Sequence, residues 1–357
     1  MRKSFYIISL SLGLILFVYT IKQAGIVGIL KAISFFPLPA LLVIFLANFI
    51  AAILVSSWRW KVIIEAQDHC RVSLSKVIMA KLGGFTMSYI TPSVFIGGEP
   101  IRAYMIKEST KCSWERSFAA VIVDQAIYFF TLFLLMIIGF LFLADHFALP
   151  RGITYGFWVI ILISFVILYL FYSRVIAKTP GKEGFFMFLL KAFRLHKIKY
   201  VRRREENIKN TEKIIADFFR NEKKAVAQAF LLSIAEVIAY LVVVWVITLY
   251  LGAKLTFFQS VSIFAIITLA SFVPIPGSLG SMEASITFIY DLLGLGRSNG
   301  FTFSLVFRFV NIIAVILGFF AIIYFEFKNI SQRFRNAPSG LLELHRFLLR
   351  LLGRKKE

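Results

Sequence analysis

Two short segments of this chain gather residues able to do chemistry. One runs Thr91-Pro92-Ser93-Val94-Phe95-Ile96-Gly97-Gly98-Glu99-Pro100-Ile101-Arg102. The other runs Pro274-Ile275-Pro276-Gly277-Ser278-Leu279-Gly280-Ser281-Met282-Glu283. Both read proline, six residues, glutamate: Pro92 to Glu99, and Pro276 to Glu283. Proline lacks an N–H and ends a helix arriving at it. Glycine permits the tight reversal that follows. A new helix is then expected near Gly98 and near Ser281, with Glu99 and Glu283 in their first turns. Two readings stay open. Each carboxylate complements its own helix dipole as a cap. Alternatively, two helix N-termini with free N–H groups converge on an anion site. Arg102 lies one turn beyond Glu99, and an arginine fork matches a phosphate. The candidate binding residues are Gly97, Gly98, Glu99, Arg102, Pro276, Gly277, Gly280 and Glu283, with two more from the composition that follows.

The elements that must hold these corners are strongly apolar. Of 357 residues 59% are hydrophobic and 17% charged, yet Lys and Arg exceed Asp and Glu by 40 to 19, a net of +21. Soluble domains carry about 45–50% apolar and about 25% charged residues. Disorder, collagen and a disulfide scaffold are excluded by such a composition. The positive charge leaves nucleic acid or an anionic membrane face as partner. Six apolar stretches are long enough, or nearly so, to cross a bilayer: Phe5–Ile21, Leu38–Ser57, Ser117–Leu143, Ile153–Tyr172, Ala225–Leu251 and Thr302–Phe325. Phe5–Ile21 has no small-x-small cleavage site after it and is read as a retained span. Within these stretches stand Asp124, Glu236 and Arg308. Charges inside spans are rare and either paired or turned to a polar cavity. Asp124 and Arg308 read equally as a structural salt bridge joining two halves or as a switchable network contacting a headgroup; Glu236 is a weaker candidate.

With the N-terminus in the cytoplasm, 34 of the 40 basic residues fall on the inner side: two at the start, nine in 58–116, fifteen in 174–224 and eight in 326–357. That bias sets the orientation, with both termini cytoplasmic. The scatter over four flanking segments argues against nucleic acid, which needs one basic surface. The apolar stretches Leu74–Phe95 and Phe257–Val273 must then each return to the side they entered from. The expected architecture is all-α and polytopic, with six spans and two oppositely directed re-entrant hairpins. Non-helical backbone at that depth is tolerated when buried in protein or lining a cavity. The order span, span, hairpin, span repeats inverted, with half-repeats of about 1–143 and 153–328. An offset of 184 carries Pro92 to Pro276, Glu99 to Glu283 and Asp124 to Arg308. The loop 174–224 is expected to break that offset for the earlier spans. Inverted repeats with interrupted helices are a recurring plan of transporters.

Other patterns point nowhere. Cys70 and Cys112 both fall on the inner side, so no disulfide is expected. The four histidines do not cluster with carboxylates, and no nucleotide or nucleophile-elbow motif occurs, so neither metal nor cofactor nor catalytic residue is expected. Lys182–Lys224 reads as two basic amphipathic helices. So does the 329–357 tail, through Leu341, Leu344, Leu348, Leu351 and Leu352. Both suit an anionic lipid surface, with a partner protein as the alternative.

Gly97-Gly98-Glu99-Pro100-Ile101-Arg102, Val123-Asp124-Gln125, Pro274 through Gly280 with Glu283, and Arg308 resemble the lysylphosphatidylglycerol synthase transmembrane region, the flippase-like domain family. The likeness spans about residues 5–328. It implies movement of a charged or glycosylated lipid between leaflets, along a path lined by the hairpin glutamates, Asp124 and Arg308. Gln125 departs from the family, which often has arginine there. The synthase members carry a soluble aminoacyl-transfer domain after the spans, whereas the sequence given ends at Glu357, so synthesis of lysyl lipid is not expected. The expected function is a flippase or facilitated transporter of an anionic phospholipid or lipid-linked glycan, with anionic phospholipid or polyprenyl-linked lipid as the membrane partner. The alternatives are a membrane-embedded transferase using Glu99 or Asp124 as general base, or a scaffold for a lipid-synthesis enzyme. Such an enzyme, or a second copy of the chain, is the further partner expected.

Overall fold

A computed structural model describes residues 3–336, apart from 35, 68–69, 93–96, 111, 148, 150, 177–183, 193, 195, 197–201 and 203. The middle of the first corner and the leucine-rich tail therefore lie outside the described residues. The rest is helical, with no strand among the described residues. The helices are α1 Lys3–Ala24, α2 Ile26–Ser34, α3 Leu38–Glu65, α4 Leu74–Ile90, α5 Glu99–Ser109, α6 Trp114–His146 and α7 Arg151–Phe171. They continue as α8 Phe185–Ala192, α9 Glu205–Asn221, α10 Lys223–Tyr250, α11 Phe257–Ser271, α12 Ser281–Leu292 and α13 Arg297–Asn336.

Among the described residues, five helices are long and apolar enough to cross a bilayer: α3, α6, α10, α13, and α7 taken from Thr154 to Ile176. Six were expected. The first helix is 22 residues long, but its apolar described part is only Leu10–Ala24. The polar starts are set locally. Ser113 Oγ accepts from Arg116 N at 3.2 Å to begin α6. Thr256 and Gln259 exchange side-chain and backbone bonds at the start of α11.

Element boundaries repeat. Shifting α3, α4, α5 and α6 by 184 residues brings each start within two residues of α10, α11, α12 and α13. The loop was expected to break this register for the earlier spans; it holds for α3 and fails only for the first helix. The extra length of 174–224 falls before α10 and leaves everything after it in step. The first arm of each hairpin packs crosswise, α4 on α13 and α11 on α6, while the second arms pack on the long helix of their own half, α5 on α6 and α12 on α13.

The segment between α7 and α10 does not lie free as an amphipathic sheet of helices. Ile215, Phe218 and Phe185 are buried in one core with Ile63, Ile106 and Val121, and Met187 is buried as well. Glu212 on α9 accepts from Phe186 N at 2.5 Å and Met187 N at 3.3 Å, capping α8. Part of the apolar face of α8 and α9 is thereby spent on the protein's own interior.

Cys70 and Cys112 form a disulfide, with their Cα atoms 5.4 Å apart. The inner-side placement argued for free thiols. The pairing arises because the two residues flank the α4–α5 hairpin and meet at its base.

Candidate functional site

The first polar centre is built around Asp124 on α6, which is fully buried. Three cations converge on it. Arg59 Nε reaches Oδ1 at 2.7 Å; Lys81 Nζ and Arg102 Nη2 reach Oδ2 at 2.7 and 2.5 Å. Arg59 Nη1 also pairs with Glu236 on α10. Four helices besides α6 supply these side chains: α3, α4, α5 and α10. In α3 a π-turn at Ile50–Val55 shifts the helical phase just ahead of Arg59, a device common at functional sites. Trp60 floors the cluster. The Arg102 guanidinium stands 4.3 Å from its ring centroid and the Lys81 ammonium 5.7 Å.

Basic groups outnumber acidic ones in this centre. Arg59, Lys81 and Arg102 face Asp124 and Glu236, three basic side chains against two acidic ones, all buried. Arg102 Nε and Trp60 Nε1 are buried donors with no hydrogen-bond partner among the described residues. Unpaired buried charge and unmade donors are both costly.

The corner beside it is steric in origin. A Cβ on Gly98 would collide with the carbonyl oxygen of Gly84, and one on Gly97 with the side chain of Thr91. Ser88 Oγ accepts from Gly98 N at 2.9 Å. Glu99 Oε1 accepts from Gln125 Nε2 at 2.6 Å, while its Oε2 is buried without a partner among the described residues.

The second centre is closed on itself. Glu283 is fully buried, and its Oε2 accepts from Gly280 N at 2.6 Å, so it caps its own helix. Its Oε1 takes Arg308 Nε at 2.6 Å and Nη2 at 2.5 Å. Arg308 Nη1 donates to Gly277 O at 2.9 Å and to Tyr89 Oη at 3.1 Å, and Nη2 to Ser278 O at 3.3 Å. Every guanidinium nitrogen is engaged. Pro276 opens the short turn Pro276–Ser278, Gly277 has φ 56° and Gly280 φ 79°, which L side chains rarely adopt. A Cβ on Gly277 would also meet the Tyr89 ring at 2.8 Å. Tyr89 closes α4, so one hairpin's arm end lies against the other hairpin's corner.

The ten residues expected from sequence thus divide. Arg102 and Asp124 meet directly. Glu283 and Arg308 meet directly, with Pro276, Gly277 and Gly280 forming the turn around them. Glu99, Gly97 and Gly98 form the first corner. Asp124 and Arg308 do not pair with each other, so neither bridges the halves as a mutual salt bridge. Arg308 is also not the lone basic residue within a span: Arg59 lies in α3. Arg59 and Lys81 give no signal in the sequence: the apolar stretch ends at Ser57, and both read as charges on the inner side. Tyr89, Trp60, Tyr128 and Tyr240 gave no signal beyond aromatic content. Between the two centres lies a cavity of about 150 Å³, lined by Tyr89, Tyr128, Tyr240, Gly277, Ser278 and Asn311 among others. The Arg59 guanidinium sits 5.0 Å from the Tyr128 ring, which puts the first centre at the cavity's edge.

The model of the lysylphosphatidylglycerol synthase TM region matches residues 6–318. A UPF0104 membrane protein of Methanothermobacter thermautotrophicus is 24% identical over 256 residues, 71% of this chain and 75% of its own. A UPF0104 membrane protein of Methanocaldococcus jannaschii is 26% identical over 287 residues, covering 77% of this chain and 82% of its own. One from Pyrococcus horikoshii is 24% identical over 279 residues, 75% and 82%. No solved structure matches the chain.

Proposed function

The chain belongs to the lysylphosphatidylglycerol synthase transmembrane region family, and on that premise we propose that it is a lipid flippase or facilitated lipid transporter. Its cargo is an anionic phospholipid or a polyprenyl-linked lipid, moved between leaflets of the cytoplasmic membrane, with both termini inside. The helical hairpins α4–α5 and α11–α12 enter the membrane from opposite faces, and the first helix makes a sixth span. The repeat of boundaries at 184 residues and the crosswise packing support an inverted repeat, a plan in which substrate binds at the junction of the halves.

The observation that carries the reading is the unbalanced charge at Arg59, Lys81, Arg102, Asp124 and Glu236, together with the unpartnered Arg102 Nε. A lipid phosphate is the anion at hand in a bilayer. It neutralises the excess cation, accepts from Arg102 Nε, and does so without displacing Asp124. Arg308 is a poor phosphate ligand by the same reasoning, since its nitrogens are already committed. Its place is to lock the second corner. The small, mostly apolar cavity lined by Tyr89, Tyr128, Tyr240 and Gly277 lies at the meeting of the hairpins.

The test is lipid movement. Purified full-length protein in liposomes should speed the transbilayer exchange of a fluorescent-tailed phosphatidylglycerol over protein-free vesicles. No acceleration with phosphatidylglycerol or with a polyprenyl phosphate would sink the reading.

A further inference from the structure

Away from both polar centres, an apolar cavity of about 760 Å³ opens between α6, α7 and α10. Its walls are Ala126 and Phe130 on α6, Phe165 and Tyr169 on α7, and Ala227 and Phe230 on α10. It exists because α7 stands off from the bundle. Only 6% of that helix's most apolar stretch is buried, against 28–39% in the other four long helices. At one end the groove turns polar. Lys223, the first residue of α10, lines it and is exposed. Lys223 makes no ion pair or hydrogen bond among the described residues. The first turn of α10 has no side-chain cap, so its N–H groups are open. Nearby, Arg220 donates twice to Ile176 O, at 2.9 and 2.7 Å, which fixes the rim.

From these features we infer that the groove is a binding site for one anionic membrane phospholipid, with an acyl chain between α6, α7 and α10 and the phosphate at Lys223. An apolar gap inside hydrocarbon forfeits contacts on every wall until a chain fills it. Its size falls in the range of dedicated ligand pockets, about 300–1,000 Å³. The cation and the open helix N-terminus select the charge of the head, since both favour an anion. The site is separate from the Asp124 centre and holds its lipid whether or not the protein moves lipids. The inference therefore stands or falls apart from the transport reading.

Native mass spectrometry of the full-length protein, titrated with phosphatidylglycerol and with phosphatidylcholine, tests it. The wild type retains one phosphatidylglycerol more tightly than the rest. Ala227→Trp fills the groove from an exposed lining position and weakens that lipid about tenfold, the loss of roughly two methylenes' burial. Lys223→Ala leaves phosphatidylcholine binding unchanged and reduces the preference for phosphatidylglycerol about fivefold. Equal binding of both lipids by wild type, A227W and K223A overturns the proposal. So does a dimer that A227W dissociates, because a second copy would then occupy the groove. Circular dichroism of both variants separates a lost site from a lost fold.

Discussion

The Tyr89 hydroxyl accepts a hydrogen bond from Arg308 Nη1 at 3.1 Å, across 219 positions of sequence. It joins the end of α4, beside the first corner, to the clamp that holds the second. Arg308 and Glu283 form a buried pair, so removing one partner strands the other. Glu283→Gln and Arg308→Met are each expected to cost about 3–5 kcal/mol. The double variant should cost less than the sum of the two. Thermal unfolding in detergent checks this, and strict additivity would contradict the clamp.

The Asp124 centre responds asymmetrically to its members. Asp124→Asn leaves three cations against Glu236 alone, and a loss of about 3–5 kcal/mol is expected. Arg102→Gln leaves Asp124 paired with Arg59 and Lys81. Its cost is expected near 1 kcal/mol, mainly the ring contact with Trp60. Denaturation of both variants in the same detergent decides, and an equal loss would mean the charges are not shared as described.

Gly98 is a steric necessity. Gly98→Ala drives a methyl into the Gly84 carbonyl and should destabilise the protein by about 3 kcal/mol or more. Gly156→Ala meets nothing within 4 Å and should stay within about 0.5 kcal/mol of wild type. A tolerated G98A would show that α4 and α5 do not approach as closely as this.

The disulfide closes the base of the α4–α5 hairpin over a separation of 42 residues. Chain entropy gives such a link about 4 kcal/mol. Reduction should lower the thermal midpoint, and Cys70→Ser with Cys112→Ser should match the reduced protein. If alkylation finds two free thiols in protein purified without reductant, the pairing is wrong.

Much of this arrangement was legible beforehand. The corners announce themselves because proline and glycine have local, obligatory consequences. Asp124 and Arg308 are visible because a charge in an apolar run is conspicuous. Arg59 and Lys81 were not, since an arginine near the end of an apolar stretch looks like an interfacial anchor. Only the continuation of α3 to Glu65, through its π-turn, places Arg59 in the interior. The fate of the 185–221 helices was hidden for a related reason. An amphipathic face does not say whether lipid or protein will cover it, and here Ile215 and Phe218 go to the core.

The central claim is that the cationic excess at Arg102 receives a lipid phosphate. Transbilayer movement of fluorescent-tailed phosphatidylglycerol by wild type and Arg102→Gln, in matched liposomes, tests it most directly. R102Q is expected to move the lipid at least about tenfold more slowly with its fold retained, since a charge-assisted bond is worth roughly 1.5–3 kcal/mol. A rate equal to wild type, in a variant shown to be folded, would contradict it.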